Sequence, residues 1–136
     1  MVKGKFSISV HIMTLLAYYS DNWHTSSEIA ESININPALV RKELATLNKS
    51  GLIESKEGKN GGVRLGKDAS KITLADIFMS VKGDDNVLSV SKNSPDQTCR
   101  IGKQINDRLE MIFDRVDNSI IAELQKQTLE TFKSQF

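Results

Sequence analysis

The stretch from Thr25 to Leu65 constrains this chain more than any other, because four local signals follow one another there without a gap. Thr25-Ser26-Ser27-Glu28 has the capping-box form, a hydroxyl at the cap and a carboxylate three residues on, and opens a short helix carrying Ile29, Ala30 and Ile33. Asn34-Ile35-Asn36 reads as a turn. Asn36 is then a good N-cap and Pro37 a good first helical residue, since its missing N–H is one that a helix start leaves unbonded. That helix should run to Ser50, with Gly51 as the left-handed residue beyond its end and Lys49 near the negative pole of the dipole. The period changes after Gly51. Leu52–Lys56 and Gly62–Leu65 look like two short strands joined by Glu57-Gly58-Lys59-Asn60-Gly61. Two short helices, a tight turn and a glycine-tipped hairpin outline a winged helix-turn-helix, in a fold that is mainly α with one small β-hairpin.

The flanking segments fit around that unit. Ser7 can cap a helix through about Ser20, with Ile8, Ile12, Leu15 and Tyr19 at helical spacing and further apolar residues widening the surface, so it should be central. Thr73, with Asp76 at the third helical position, opens a helix carrying Leu74, Ile77, Phe78 and Val81 that ends near Gly83. Residues 84–98 are polar and weakly patterned and read as a loop. From Cys99 a long helical stripe runs through Ile101, Ile105, Leu109, Ile112, Val116 and Ile120 to Leu124 and Leu129, with a break expected at Asp117-Asn118-Ser119. The expected organisation is therefore a DNA-binding unit over 1–83, a loop over 84–98 and a helical dimerisation region over 99–136. A stripe of that length exposes more apolar surface than one small domain covers, and a second copy is the simplest cover, though folding back on the first helix is an alternative.

Charge decides what the helix-turn-helix could bind. The whole chain of 136 residues carries a net charge of only +1, which gives no general affinity for nucleic acid. Between Asn36 and Lys67, however, seven cations stand against three carboxylates for a local +4, and the remainder of the chain sums to −3. On the helix from Pro37, Val40, Leu44 and Leu47 form the stripe to be buried. The opposite face then presents Ala38, Arg41, Lys42, Ala45, Thr46 and Lys49, small residues that allow close approach and cations that reach guanine edges and phosphates. Lys59 and Asn60 sit at the hairpin tip and Arg64 on its returning strand, suited to a neighbouring groove or phosphate line. A solvated helix face with ordinary lysines is the plainer reading of the helix alone; the basic hairpin beside it favours DNA.

Glu28-Ile29-Ala30, Val40-Arg41-Lys42, Leu47-Asn48-Lys49-Ser50-Gly51-Leu52-Ile53, Gly58-Lys59-Asn60-Gly61-Gly62-Val63-Arg64-Leu65 and Ile72-Thr73-Leu74-Ala75-Asp76-Ile77 together resemble the Rrf-two family of bacterial transcription regulators over residues 5–83. The resemblance implies a homodimeric repressor or activator, of which we expect a repressor. It also implies pairing through the long C-terminal helix and a palindromic promoter site, with the matching helix in the major groove and the wing in the minor groove. Two departures matter. Glu57 stands where the family's wing often has an arginine, leaving wing contacts to Lys59, Asn60 and Arg64. Iron-sulfur members carry three cysteines between the fourth helix and the long helix, whereas this chain has only Cys99, so neither a cluster nor any other cofactor or metal is expected.

Cys99, at the expected start of the long helix beside Arg100, is a candidate redox switch; the alternative is a small tolerated residue. His11 is expected to pack within the first helix and His24 to lie in a loop, and with Cys99 they make at most an incomplete metal site. Trp23, Tyr18 and Tyr19 could line a ligand pocket, but aromatic residues at helical spacing are more often core. The hairpin glycines lack the Gly-Lys-Ser/Thr ending of a nucleotide loop, and no nucleophile motif sets a histidine beside Cys99, so an enzyme is not expected. With no long apolar span and one thiol, the expected setting is the cytoplasm, without membrane contact. A winged-helix protein-interaction module that leaves its basic face unused is the alternative function.

Overall fold

The computed structural model describes residues 3–136. Helix α1 (Lys3–Tyr18) starts four residues ahead of Ser7, so the expected cap lies inside the helix. Its Ile12, Met13 and Leu16 are fully buried, which makes it the central helix of the core. Helix α2 (Ser26–Ile33) is capped by Thr25, whose hydroxyl accepts the Glu28 N–H; the Glu28 carboxylate turns instead toward His24. Asn34, at φ 61° and ψ 49°, reverses the chain in the left-handed region, and the Asn36 side chain caps helix α3 (Pro37–Lys49) by accepting from Ala38 N at 2.8 Å. Ser50 follows, and Gly51 at φ +76° turns the chain into the wing.

Strands β1 (Ile53–Lys56) and β2 (Gly62–Leu65) pair antiparallel, Ile53 opposite Leu65 and Lys56 opposite Gly62. The wing has a third, single-residue rung. His24 exchanges both backbone hydrogen bonds with Val63, N–O distances 2.9 and 2.8 Å, so the segment before α2 is tied to β2. This placement requires Gly62: at φ +141°, a Cβ there would lie 2.3 Å from the His24 carbonyl oxygen. His24 is thus buried at a bridge rather than free in a loop, its Nε2 donating to the Tyr19 carbonyl at 2.9 Å.

After a single 3-10 turn at Ala69–Lys71, Thr73 and Asp76 close a reciprocal capping box at the start of helix α4 (Leu74–Lys82). Residues 84–104 contain turns but no regular helix or strand. Helix α5 spans Ile105–Leu124, and helix α6 (Leu129–Lys133) follows after a four-residue interruption.

Three expectations about this C-terminal half are corrected. The long helix begins at Ile105, not Cys99, because Asp96 accepts from both the N–H and the hydroxyl of Thr98 and Gly102 packs against the Asp96 carbonyl, coiling 96–104 into successive turns. No break occurs at Asp117–Ser119. Asp117 would compete for its own backbone if solvated, but it is buried, and its carboxylate is engaged by the Val87 N–H at 3.2 Å and faces Lys82 Nζ at 3.6 Å. The interruption falls instead at Gln125–Thr128, after which Leu129, fully buried, returns the chain to the main core beside α1, helped by a bridge between Thr73 and Thr128.

Candidate nucleic-acid interface

Val40, Leu44 and Leu47 of α3 are buried as the helical spacing requires, and Glu43 is buried with them. Glu43 is therefore withdrawn from the outward charge balance. Ala38, Arg41, Lys42, Ala45 and Lys49 are all exposed on the opposite side. Thr46 is only half-buried on the flank: its hydroxyl donates back to the Lys42 carbonyl at 3.4 Å, and its own carbonyl accepts from Ser50 and Ser80. It borders the outward face from this flank, with its hydroxyl bonded within the helix.

At the wing tip, residues Glu57–Asn60 are exposed, and Asn60 adopts φ 65°, a conformation asparagine tolerates better than most residues. Among the described residues no ion pair engages Arg41, Lys42, Lys49 or Lys59. Those four cations are thus available for an outside anion.

Arg64 is placed differently. It pairs with Glu54 across the hairpin, Nε to Oε1 at 2.5 Å, and its guanidinium lies 4.2 Å from the centroid of the Trp23 ring, with Lys56 Nζ 5.8 Å from the same ring. The arginine is held at the base of the wing by a carboxylate and an aromatic face. Trp23 therefore does not line the groove beside α1. Tyr18 and Tyr19 do: with Phe6, Val10, Leu15, Phe132 and Phe136 they wall an open, mainly apolar groove of about 700 Å³ between α1 and α6. His11, expected to be packed, is exposed beside this groove, 3.5 Å from Ser32 Oγ.

The sequence pattern missed two side chains. Leu39, on the third residue of α3, is 50% exposed although it carries the largest apolar side chain of that helix's first turn; the helical wheel could have shown it, since it falls on the flank beside Lys42. Glu43 could have been placed by the same wheel.

A family profile described as "Rrf2: Iron-dependent Transcriptional regulator" matches residues 2–135. The chain belongs to the Rrf2 family. Within that family it is similar to YwnA of Bacillus subtilis, which bears the name of an HTH-type transcriptional regulator, at 32% identity over 130 residues covering 95% of this chain and 94% of YwnA. It is also similar to the identically described YffB of Lactococcus lactis, at 24% identity over 88% of this chain and 83% of that one. Among solved structures, a DNA-binding protein matches with a TM-score of 0.75 at 27% identity, covering 95% of this chain and 98% of the other. CymR, the global cysteine regulator of B. subtilis, shares the fold with a TM-score of 0.73 at 23% identity over 100% and 98% of the two chains. The Rrf2 assignment makes this chain a DNA-binding transcriptional regulator, not an enzyme.

Iron, which the family's name implies, needs a set of thiolate, imidazole or carboxylate ligands. The chain has one cysteine, and among the described residues no group of three or more His, Cys, Asp and Glu side chains could hold a metal ion. Around Cys99 the partners are backbone N–H groups: that of Gly102 lies 3.4 Å from Sγ, and together with Ile101 it holds the thiol below its ordinary pKa. These residues do not fit an iron centre. Nor is any helix among the described residues long and apolar enough to cross a membrane.

Proposed function

We propose that this chain is a homodimeric, sequence-specific repressor that occupies a palindromic promoter site. In this reading Arg41 and Lys42 contact bases and phosphates, Ala38, Ala45 and Thr46 fit the groove wall, and Lys49, Lys59 and Asn60 reach the sugar-phosphate backbone. Arg64 braces the wing from its base. The single observation that carries the reading is the set of four unpaired cations on α3 and the wing tip, on a member of a DNA-binding family.

The dimer is supported by what α5 leaves in water. Met111 and Ile112 are 60% and 45% exposed, Ile101 in the turns just before the helix is 71% exposed, and the stripe residues Leu109, Val116 and Ile120 of α5 are only half-buried in one copy. Residues 1–83 then read DNA, 84–98 connect, and the region from Cys99 onward pairs with a second copy, with α6 also returning to the core. Two-fold symmetry sets the recognition helices about 34–36 Å apart, so the half-sites should be one helical turn or a small multiple apart.

Cys99 is exposed and its thiolate is favoured, which supports a redox-responsive form of the regulator: a two-electron oxidant converts the thiol to a sulfenic acid, or, between two copies, to a disulfide. The test is binding of the purified protein to its own promoter fragment at two salt concentrations, reduced and oxidised, beside Cys99→Ser. Salt-sensitive, promoter-selective binding is expected, lost on oxidation in the parent and retained in the variant. Arg41→Ala should relax sequence preference, whereas Lys59→Ala should weaken binding to all DNA and lower the salt slope by about 1. Parental behaviour in both substitutions would sink the assignment of this face.

A further inference from the structure

Leu39 has no role in the reading above, and the fold offers it none. Val40, Glu43, Leu44 and Leu47 fill the inward side of α3, and half of the Leu39 surface is left in water. The other large apolar side chains that stand exposed among the described residues all lie outside α2, α3 and the wing. Leu39 is thus the one large apolar side chain exposed on the helix-turn-helix.

Its position is specific. Pro37 is the first helical residue, so Leu39 is the third, in the turn that enters a major groove first when such a helix docks. It stands one turn before Lys42 and next to Ala38 in the chain, at the edge of the outward face away from Arg41. A leucine has no donor or acceptor. Of the chemical features that base pairs present in the major groove, the C5-methyl of thymine is the apolar one. Lys42, one turn away, secures a phosphate, so an apolar group beside it can discriminate without contributing charge.

We propose that Leu39 is a specificity-determining residue that packs against a thymine methyl in each half-site of the operator. The assignment rests on the DNA-binding reading of α3, and its test separates the two. The footprinted duplex from the chain's own promoter is prepared with each thymine replaced in turn by deoxyuridine, which removes the methyl and keeps every hydrogen-bonding group. For the parent, one symmetry-related pair of thymines should stand out, with affinity falling about fourfold for each methyl removed, the factor expected for one buried methyl-sized group. Leu39→Ala should bind the unmodified duplex more weakly and be indifferent to uracil at that pair, while every other position responds as in the parent. Leu39→Met, which keeps an apolar side chain of similar reach, should restore the response. Because the side chain is exposed, neither variant disturbs the core.

A parent that binds selectively but is indifferent to every deoxyuridine overturns the assignment and leaves the DNA reading standing. So does a Leu39→Ala protein that keeps the parental response at every thymine. A parent with no promoter-selective binding removes the DNA reading and the assignment together.

Discussion

Replacing Gly62 by alanine should break the wing's third rung, and the size of the effect follows from distances. The new Cβ would lie 2.3 Å from the His24 carbonyl oxygen and 2.6 Å from its carbon, where ordinary contact begins at 3.4 Å. The segment carrying His24 must retreat by about 1 Å. That stretches the 2.8 and 2.9 Å bonds between His24 and Val63 toward 4 Å, beyond hydrogen-bonding reach. Losing two such bonds costs about 1–3 kcal/mol, and holding a side chain at φ +141° a further 1–3 kcal/mol or so. A total near 3–4 kcal/mol is a large share of the roughly 5–15 kcal/mol that holds a domain of this size. Urea unfolding reads it directly: with a slope of about 2 kcal/mol per molar, the midpoint should fall by about 1.5–2 M. Trp23, the only tryptophan, adjoins the bridge and supplies the fluorescence signal. Gly58→Ala is the matched control, since φ is +87° there but nothing lies within 4 Å, leaving only a backbone term of about 1–2 kcal/mol. Equal losses in the two variants, or a Gly62→Ala protein within about 0.5 kcal/mol of the parent, would refute the steric argument.

Two further outcomes are expected. Asp117→Ala should cost about 2–4 kcal/mol in urea unfolding, somewhat less than a fully buried pair because Lys82 keeps 16% of its side chain in water, whereas the double variant Lys82→Met/Asp117→Leu should stay within about 1 kcal/mol of the parent; a double variant as unstable as the single one would show that the polar contacts of Asp117 with Lys82 and the Val87 N–H, not the burden of an unpaired charge, hold this region together. Alkylation of Cys99 followed against pH should give a lower midpoint in the native protein than in the urea-unfolded chain, because the N–H groups of Gly102 and Ile101 favour the thiolate. With the native value depressed, the stabilisation from this group is fully present above the unfolded thiol's pKa and is lost as pH falls through the native one. A native midpoint at or above the unfolded value would contradict that geometry.

The helix-turn-helix and wing were legible because their signals are local. Asn36-Pro37 fixes a helix start and the hairpin glycines fix a turn whatever surrounds them, and the Thr73/Asp76 box formed as its spacing dictates. What the sequence hid depends on tertiary partners. Asp117 reads as a helix breaker until Lys82 and the Val87 N–H are placed beside it. The start of α5 could not be set by periodicity, since Ile101 continues the apolar stripe into residues that Asp96 and Gly102 coil into turns. For the candidate interface, Arg41, Lys42 and Lys49 came from the helical wheel alone. The contacts of Arg64 are not legible locally, because the stacking partner, Trp23, arrives from 41 residues earlier through a bridge that no local pattern announces.

The His24 rung also bears on how the protein behaves in a crowded solution. A free two-stranded hairpin offers two open edges, each a row of unpaired N–H and C=O groups to which a stray strand can add. Here the outer side of β2 is already occupied at Val63, so the open edge is that of β1. Its exposed residues are Glu54, Ser55 and Lys56, alternating charges that an incoming apolar strand would have to strip of water. A projecting wing is the part of such a molecule most apt to seed sheet-like aggregates; in this chain one edge is closed by a backbone bridge and the other is guarded by charge.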